Sequence, residues 1–183
     1  MRSLLMALVL LALTGCSKNS TLPSLTADGR SGARQAEGTE GPPLAFELKR
    51  YPGGEPYSLV SDRGSVVLLD VWATWCEPCR DSLPLYEQLS KEYGSRGLKV
   101  YALNVDEDAR GIPAFLEETK VSLPVLLDAN AQVAEKTLKV KLMPTSYLLD
   151  RKGRVRFIHE GFAEEYLQKY QTEIELLLAE RAE

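Results

Sequence analysis

Between Val67 and Cys79 the chain reads VLLDVWATWCEPC, an apolar run interrupted by Asp70 and closed by a pair of cysteines. A strand apolar on both faces needs cover above and below, which is the situation of a central strand in an α/β protein. Asp70 is out of place there. An ionised carboxylate is costly to bury, and burial drives its pKa upward toward the range useful for a general base. The competing reading, a strand-edge aspartate with a solvated side chain, sits poorly with neighbours that are all apolar.

The rest of the chain supports the same class. Ala45–Leu48 and Tyr57–Val60 read as short strands around Pro52-Gly53-Gly54, and Ser65–Ala73 as the central strand. A helix is expected over Cys76–Tyr93, a strand over Leu98–Val105, a helix over Ile112–Thr119, a strand over Leu123–Leu127 and a short helix over Ala131–Leu138. Thr145–Leu149 and Val155–Glu160 form a hairpin whose turn contains Gly153, a residue that tolerates positive φ. Leu167, Tyr170, Ile174, Leu177 and Leu178 recur at helical spacing and predict one long amphipathic closing helix. At 183 residues and 44% hydrophobic, the chain suits one globular domain, taken as residues 44–183.

The N-terminus is of another kind. Arg2, the apolar run Leu4–Leu13 and Leu-Thr-Gly-Cys at 13–16 form a targeting segment, residues 1–15, too short to span a bilayer comfortably. It resembles a bacterial lipobox, which implies cleavage before Cys16 and lipidation of that cysteine. Two or three acyl chains suffice for stable anchoring, since each buried methylene contributes ~0.8 kcal/mol. Ser17 stands where an aspartate would retain a lipoprotein in the inner membrane, which suggests an outer-membrane destination in a cell that has one. From Cys16 to Pro43 the composition is that of a flexible tether, with a reach of roughly 30 Å. A formal charge of −4 argues against nucleic acid as a partner.

With Cys16 lipidated, Cys76 and Cys79 are an isolated pair. At a helix start a CxxC holds both sulfurs on one face, and the dipole end stabilises a thiolate on the first. Pro78 suits the first turn, where its missing N–H has no partner in any case. A zinc site would need about four ligands, and the chain adds only His159, which reads as a hairpin-edge residue. A purely structural CxxC bridge would close a tiny loop for little gain.

Asp70-Val-Trp-Ala-Thr-Trp-Cys-Glu-Pro-Cys-Arg80 resembles the active-site segment of the thioredoxin superfamily, specifically the membrane-tethered TlpA and ResA-like thiol-disulfide oxidoreductases. Met143-Pro144-Thr145 stands where that family carries its cis-proline loop, and Gly161-Phe162 precedes the last helix in a family-like place. Extra length within residues 104 to 140 resembles the helix-plus-strand insertion of the TlpA branch. The resemblance implies a thioredoxin-like fold, a mixed sheet flanked by helices, with Asp70 as proton acceptor for the second cysteine. It also places Ala102 where thioredoxin has a lysine beside that aspartate.

The implied chemistry needs no cofactor. Cys76 attacks a substrate disulfide, and Cys79, deprotonated through Asp70 or a water, resolves the mixed disulfide. Trp75 shields the disulfide, while Met143, Pro144 and Thr145 shape a groove in which the Met143 backbone pairs with substrate. Glu77, an anion between the cysteines, opposes thiolate formation and tilts the pair toward a reductant. The family implies a transmembrane thiol donor and an exported, disulfide-bonded acceptor such as apocytochrome c. A short tether that cannot cross a periplasm to such a donor points away from the outer membrane, and the choice of membrane stays open. Two rivals remain open: a peroxiredoxin-like thiol peroxidase, and a noncatalytic metal- or haem-binding lipoprotein.

Overall fold

The computed structural model describes residues 32–35, 41–163 and 166–181. The targeting segment and Cys16 lie outside the described residues, as does most of the tether. In chain order the elements are β1 (Gly32–Gln35), β2 (Glu47–Tyr51), β3 (Pro56–Ser58), β4 (Val66–Trp72), α1 (Cys79–Tyr93), β5 (Leu98–Asn104), α2 (Ile112–Thr119), β6 (Val125–Leu127), β7 (Thr145–Leu149), β8 (Val155–Glu160) and α3 (Tyr166–Ala179). The strands form one mixed sheet in the order β1-β8-β7-β4-β5-β6-β2-β3. β4 is central, parallel to β5 and antiparallel to β7.

Alternation along β4 divides the core. Val66, Leu68 and Trp72 face α1, α2 and α3, where they meet Leu83, Tyr86, Phe115, Tyr170 and Ile174. Val67, Leu69 and Val71 face the other way, onto Tyr57, Leu59, Tyr101, Val133 and Leu138. Leu68 and Leu69 are both withdrawn from solvent, and such burial contributes about 2 kcal/mol per leucine. Asp70 shares the parity of Leu68 and Trp72, so it points under α1 and α3.

Several sequence expectations shift. Gly32–Gln35, assigned by composition to the flexible tether, pairs antiparallel with β8 as an edge strand; backbone pairing at an edge requires no hydrophobic period. The entry strands move to Glu47–Tyr51 and Pro56–Ser58, because Leu59–Asp62 turns as a 3-10 helix. That turn carries Asp62 inward, where it accepts from the Tyr57 hydroxyl and Lys99, each at 2.6 Å. Val133–Thr137 is one wide π-type turn. α2, β7 and β8 fall where the period puts them, and the α2–β6 segment widens the sheet beyond β5.

Candidate active site

The CxxC loop leaves the C-terminal end of β4 and is tied down by the chain that follows β5. Asp106 accepts from the Thr74 N–H at 3.0 Å and from Asn104 Nδ2 at 2.8 Å, and the Val105 N–H donates to the Trp72 carbonyl at 3.0 Å. Gly111 keeps this contact close, since a Cβ there would come within 3.3 Å of the Thr74 side chain. Asp106 is a site-building residue that the sequence reading missed; its signal is an acid directly after a buried strand.

The structure joins Cys76 and Cys79 in a disulfide with Cα atoms 5.4 Å apart. Cys76 keeps 5% of its surface exposed and Cys79 none, so only the first sulfur is open to approach. The helix begins at Cys79, later than expected. Tight turns precede it, with the Cys79 N–H donating to the Cys76 carbonyl and the Arg80 N–H to that of Glu77, both at 3.1 Å. Pro78 therefore caps the helix from outside its first turn, and Cys76 lies one short turn ahead of the dipole end.

Around the pair, Trp75 is 70% exposed, which removes core packing as its role. Glu77 is almost fully solvated, and Arg80 lies 3.4 Å from it and 2.6 Å from Glu118, with its guanidinium over the Phe115 ring. The motif's anion and cation thus largely answer each other.

Met143-Pro144 is a cis peptide, and Met143 packs against the same cluster as both cysteines. The Thr145 hydroxyl donates to the Leu142 carbonyl at 2.7 Å, and the Gly161 N–H to that of Pro144 at 2.7 Å. Among the described residues the Met143 backbone has no hydrogen-bond partner. Beside it opens an apolar cleft of about 160 Å³, floored by Val71, Val105, Ala134 and Val140, with Leu142 exposed at its rim.

Asp70 is wholly buried, and neither carboxyl oxygen has a hydrogen-bond partner. Burial holds its pKa well above the ordinary carboxylate range. Its partner across the parallel ladder is Ala102, the register expected from the resemblance. Nearby lies a buried polar cluster that the sequence did not reveal. The Tyr170 hydroxyl bonds those of Tyr86 at 2.9 Å and Ser146 at 2.6 Å, and its ring stacks on His159 at 4.2 Å. His159 is not a hairpin-edge residue: α3 covers it, and its Nε2 pairs with Glu173 at 2.6 Å.

Comparison with known proteins agrees with this geometry. A family model described as Redoxin matches residues 20–174. The thioredoxin-like protein YneN of Bacillus subtilis is 38% identical over 128 residues, covering 68% of this chain and 72% of that protein. The thiol-disulfide oxidoreductase ResA of Bacillus thuringiensis is 32% identical over 121 residues, covering 63% and 69%. Among solved structures, a candidate thiol:disulfide interchange protein DsbE from Chlorobium tepidum superposes with a TM-score of 0.69 at 34% identity, covering 74% of this chain and 94% of that one.

Proposed function

The chain belongs to the Redoxin family and is a thiol-disulfide oxidoreductase with a Cys76–Cys79 disulfide, and from that premise we propose that it reduces protein disulfides outside the cytoplasm, anchored to a membrane through Cys16. The supporting observation is the asymmetry of the pair: Cys76 is reachable and Cys79 is sealed beneath it. In the dithiol form, the Cys76 thiolate attacks a substrate disulfide, forms a mixed disulfide and releases one substrate thiol. Cys79 loses its proton to Asp70 and attacks Cys76 Sγ, which frees the second thiol and leaves the enzyme oxidised.

Substrate would pair as an added strand with the unbonded Met143 backbone and place an apolar side chain in the adjoining cleft. The reducing direction is supported by Arg80, whose engagement with Glu118 and Glu77 leaves it little charge to lend a Cys76 thiolate. A pair whose thiolate gains little stabilisation keeps its disulfide comparatively stable and so acts as a reductant. Electrons would come from a transmembrane thiol carrier. With Gly32–Gln35 paired to β8, a flexible segment from Cys16 to that strand would reach only roughly 22 Å, which puts anchor and donor in the same membrane. The acceptor is an exported protein with paired cysteines, apocytochrome c among them.

The test is to express Cys79→Ala in cells and identify the proteins trapped on Cys76 by mass spectrometry. Exported proteins with paired cysteines are expected, from membrane fractions that lose the enzyme when Cys16→Ala is added. Adducts formed only with cytoplasmic proteins would sink the location. Peroxide turnover without a dithiol donor, or metal or haem binding that survives alkylation of Cys76, would sink the reductase reading.

A further inference from the structure

β1 enters the sheet at the end that carries the cysteines. Its first residue, Gly32, pairs with Glu160 of β8, Glu160 with Thr145 of β7, and Thr145 with Val71 of β4, so these four residues form one row across four strands. Trp72 follows Val71 as the last residue of β4, and from there the chain passes into the CxxC loop. With strands ~4.8 Å apart, Gly32 stands roughly 14 Å across the sheet from Val71. From that row β1 runs antiparallel to β8, away from the cysteines, to Gln35 opposite Phe157. Leu44 stands at the other end of the sheet. Its N–H donates at 2.8 Å to the carbonyl of Gly153, in the turn between β7 and β8, and its carbonyl accepts from Arg63 at 2.7 Å.

The two ends give a membrane anchor opposite effects. A flexible segment from Cys16 to Gly32 would reach roughly 22 Å, and one from Cys16 to Leu44 roughly 30 Å. A domain of about 140 residues is roughly 37 Å across, more than either reach. The end at which the tether enters is therefore the end held to the bilayer. Anchored through β1, the CxxC end faces the membrane. Anchored from Leu44 with β1 unpaired, the same cysteines lie on the far side. The CxxC end also presents apolar surface, since Trp75 on the loop is 70% exposed and Leu142, ahead of the cis proline, 44%. Side chains of this kind are what an apolar partner at a bilayer surface would cover.

We infer that β1 is an orienting strap: by pairing with β8 it turns the Cys76 end of the domain toward the membrane, where the partner that end fits is a dithiol carried at the bilayer surface. This deepens the proposed function and rests on its reading of Cys16 as a lipid anchor. In the exchange so favoured, a thiolate of the membrane dithiol attacks Cys76 Sγ, the Cys76–Cys79 bond breaks, and its electron pair leaves on Cys79 Sγ, which takes up a proton. The donor's second thiol loses its proton and attacks the donor sulfur bound to Cys76, releasing Cys76 as a thiolate. The donor ends as a disulfide and the protein as a dithiol. Unpairing of β1, an edge strand of four residues, moves the point of entry to the Leu44 end and turns Cys76 toward soluble disulfides.

The test uses the full-length chain, purified with its lipid and reconstituted in phosphatidylcholine vesicles that contain dansyl-phosphatidylethanolamine. Trp72 and Trp75 are the chain's two tryptophans and both stand at the CxxC end, so energy transfer to dansyl reports how near that end lies to the bilayer. Ala33→Pro with Arg34→Pro breaks the strap, because alternate residues of an antiparallel edge direct their N–H to the neighbouring strand and one of the two prolines removes a ladder bond. The variant should bind vesicles and be reduced by soluble dithiothreitol as wild type is. It should lose most of the energy transfer, and its reduction by a dihydrolipoyl group linked to a phospholipid should slow severalfold. A second variant leaves β1 untouched and inserts about thirty Gly/Ser residues after Lys18, lengthening the reach to roughly 37 Å, the width of the domain. It should lose transfer as well. Transfer and lipid-linked reduction unmoved in both variants, with both still bound, would overturn the inference and leave the anchor in place. Vesicle binding by Cys16→Ala, or none by wild type, would overturn the anchor reading and the orientation with it.

Discussion

Asp70 stands directly across the parallel β4–β5 ladder from Ala102, so a fully buried carboxyl faces a methyl group where a cation could have met it. Burial then dominates its ionisation and raises its pKa well above the usual range. Asp62, also buried, lies the other way. Burial would raise its pKa too, but hydrogen bonds from Lys99 and Tyr57 hold it below the ordinary value. A sheet strand and the turn that precedes it thus carry two buried aspartates with opposite pH signatures.

Asp70→Asn should remove a stability loss that wild type suffers on the alkaline side. The folded pKa is raised above the unfolded value of ~3.9, so the contribution of Asp70 is complete below that value and is lost as pH rises through the folded pKa. Each unit of difference is about 1.4 kcal/mol. Denaturant melts at several pH values should show the variant equal to or more stable than wild type at neutral and alkaline pH. Its resolving step should be slower. Lower alkaline stability together with an unchanged resolving rate would make Asp70 an ordinary structural residue.

Asp62→Asn should show the reverse dependence. A folded pKa held low contributes stability above the unfolded pKa, and that contribution disappears as pH falls through the folded value. Wild type should exceed the variant by about 1.5–3 kcal/mol at neutral pH, the range for hydrogen bonds to a charged group. Melts repeated toward acid should converge, and a gap that persists at low pH would refute the assignment.

The limits of legibility follow from distance along the chain. α2, β7 and β8 could be read because each element carries its own period and its own breakers: Gly111 before α2, Pro144 before β7, Gly153 before β8. The CxxC and Asp70 were legible because they break, or end, a single apolar run. Tyr170 was read as one more apolar position on the closing helix, and its hydroxyl acquires meaning only against Tyr86, 84 residues away. His159 likewise needed Glu173 from another element. The Leu59–Asp62 turn was missed because Tyr-Ser-Leu-Val fits a strand locally, while the buried Tyr57–Asp62–Lys99 contacts that hold the turn are tertiary.

Asp106→Ala should loosen the CxxC loop without touching either cysteine. The substitution leaves the Thr74 N–H and Asn104 Nδ2 without their carboxylate acceptor. A loss of about 1.5–3 kcal/mol is expected in denaturant melts. Attack by Cys76 should slow as well, because the loop that aims it is no longer held. Full stability with an unaltered rate of thiol attack would show that the loop keeps its shape without Asp106.

Glu173→Ala should be among the most destabilising changes remote from the cysteines. Glu173 and His159 are both buried, and their 2.6 Å contact accounts for the only hydrogen bond of the imidazole among the described residues, since Nδ1 is unpartnered. Removing the acid strands a buried ring nitrogen, a change that costs about 3–5 kcal/mol when the group is charged and about 1–3 when it is neutral. Replacing both partners at once, His159→Phe with Glu173→Leu, removes the stranded group and keeps an aromatic ring for Tyr170 to stack on. The double variant should recover most of the lost stability. A double-mutant cycle in denaturant gives the coupling between the two sites directly. If the double variant is no more stable than Glu173→Ala, the pair matters for shape rather than for mutual satisfaction, and the His159–Glu173 contact does not account for the order of α3 over β8.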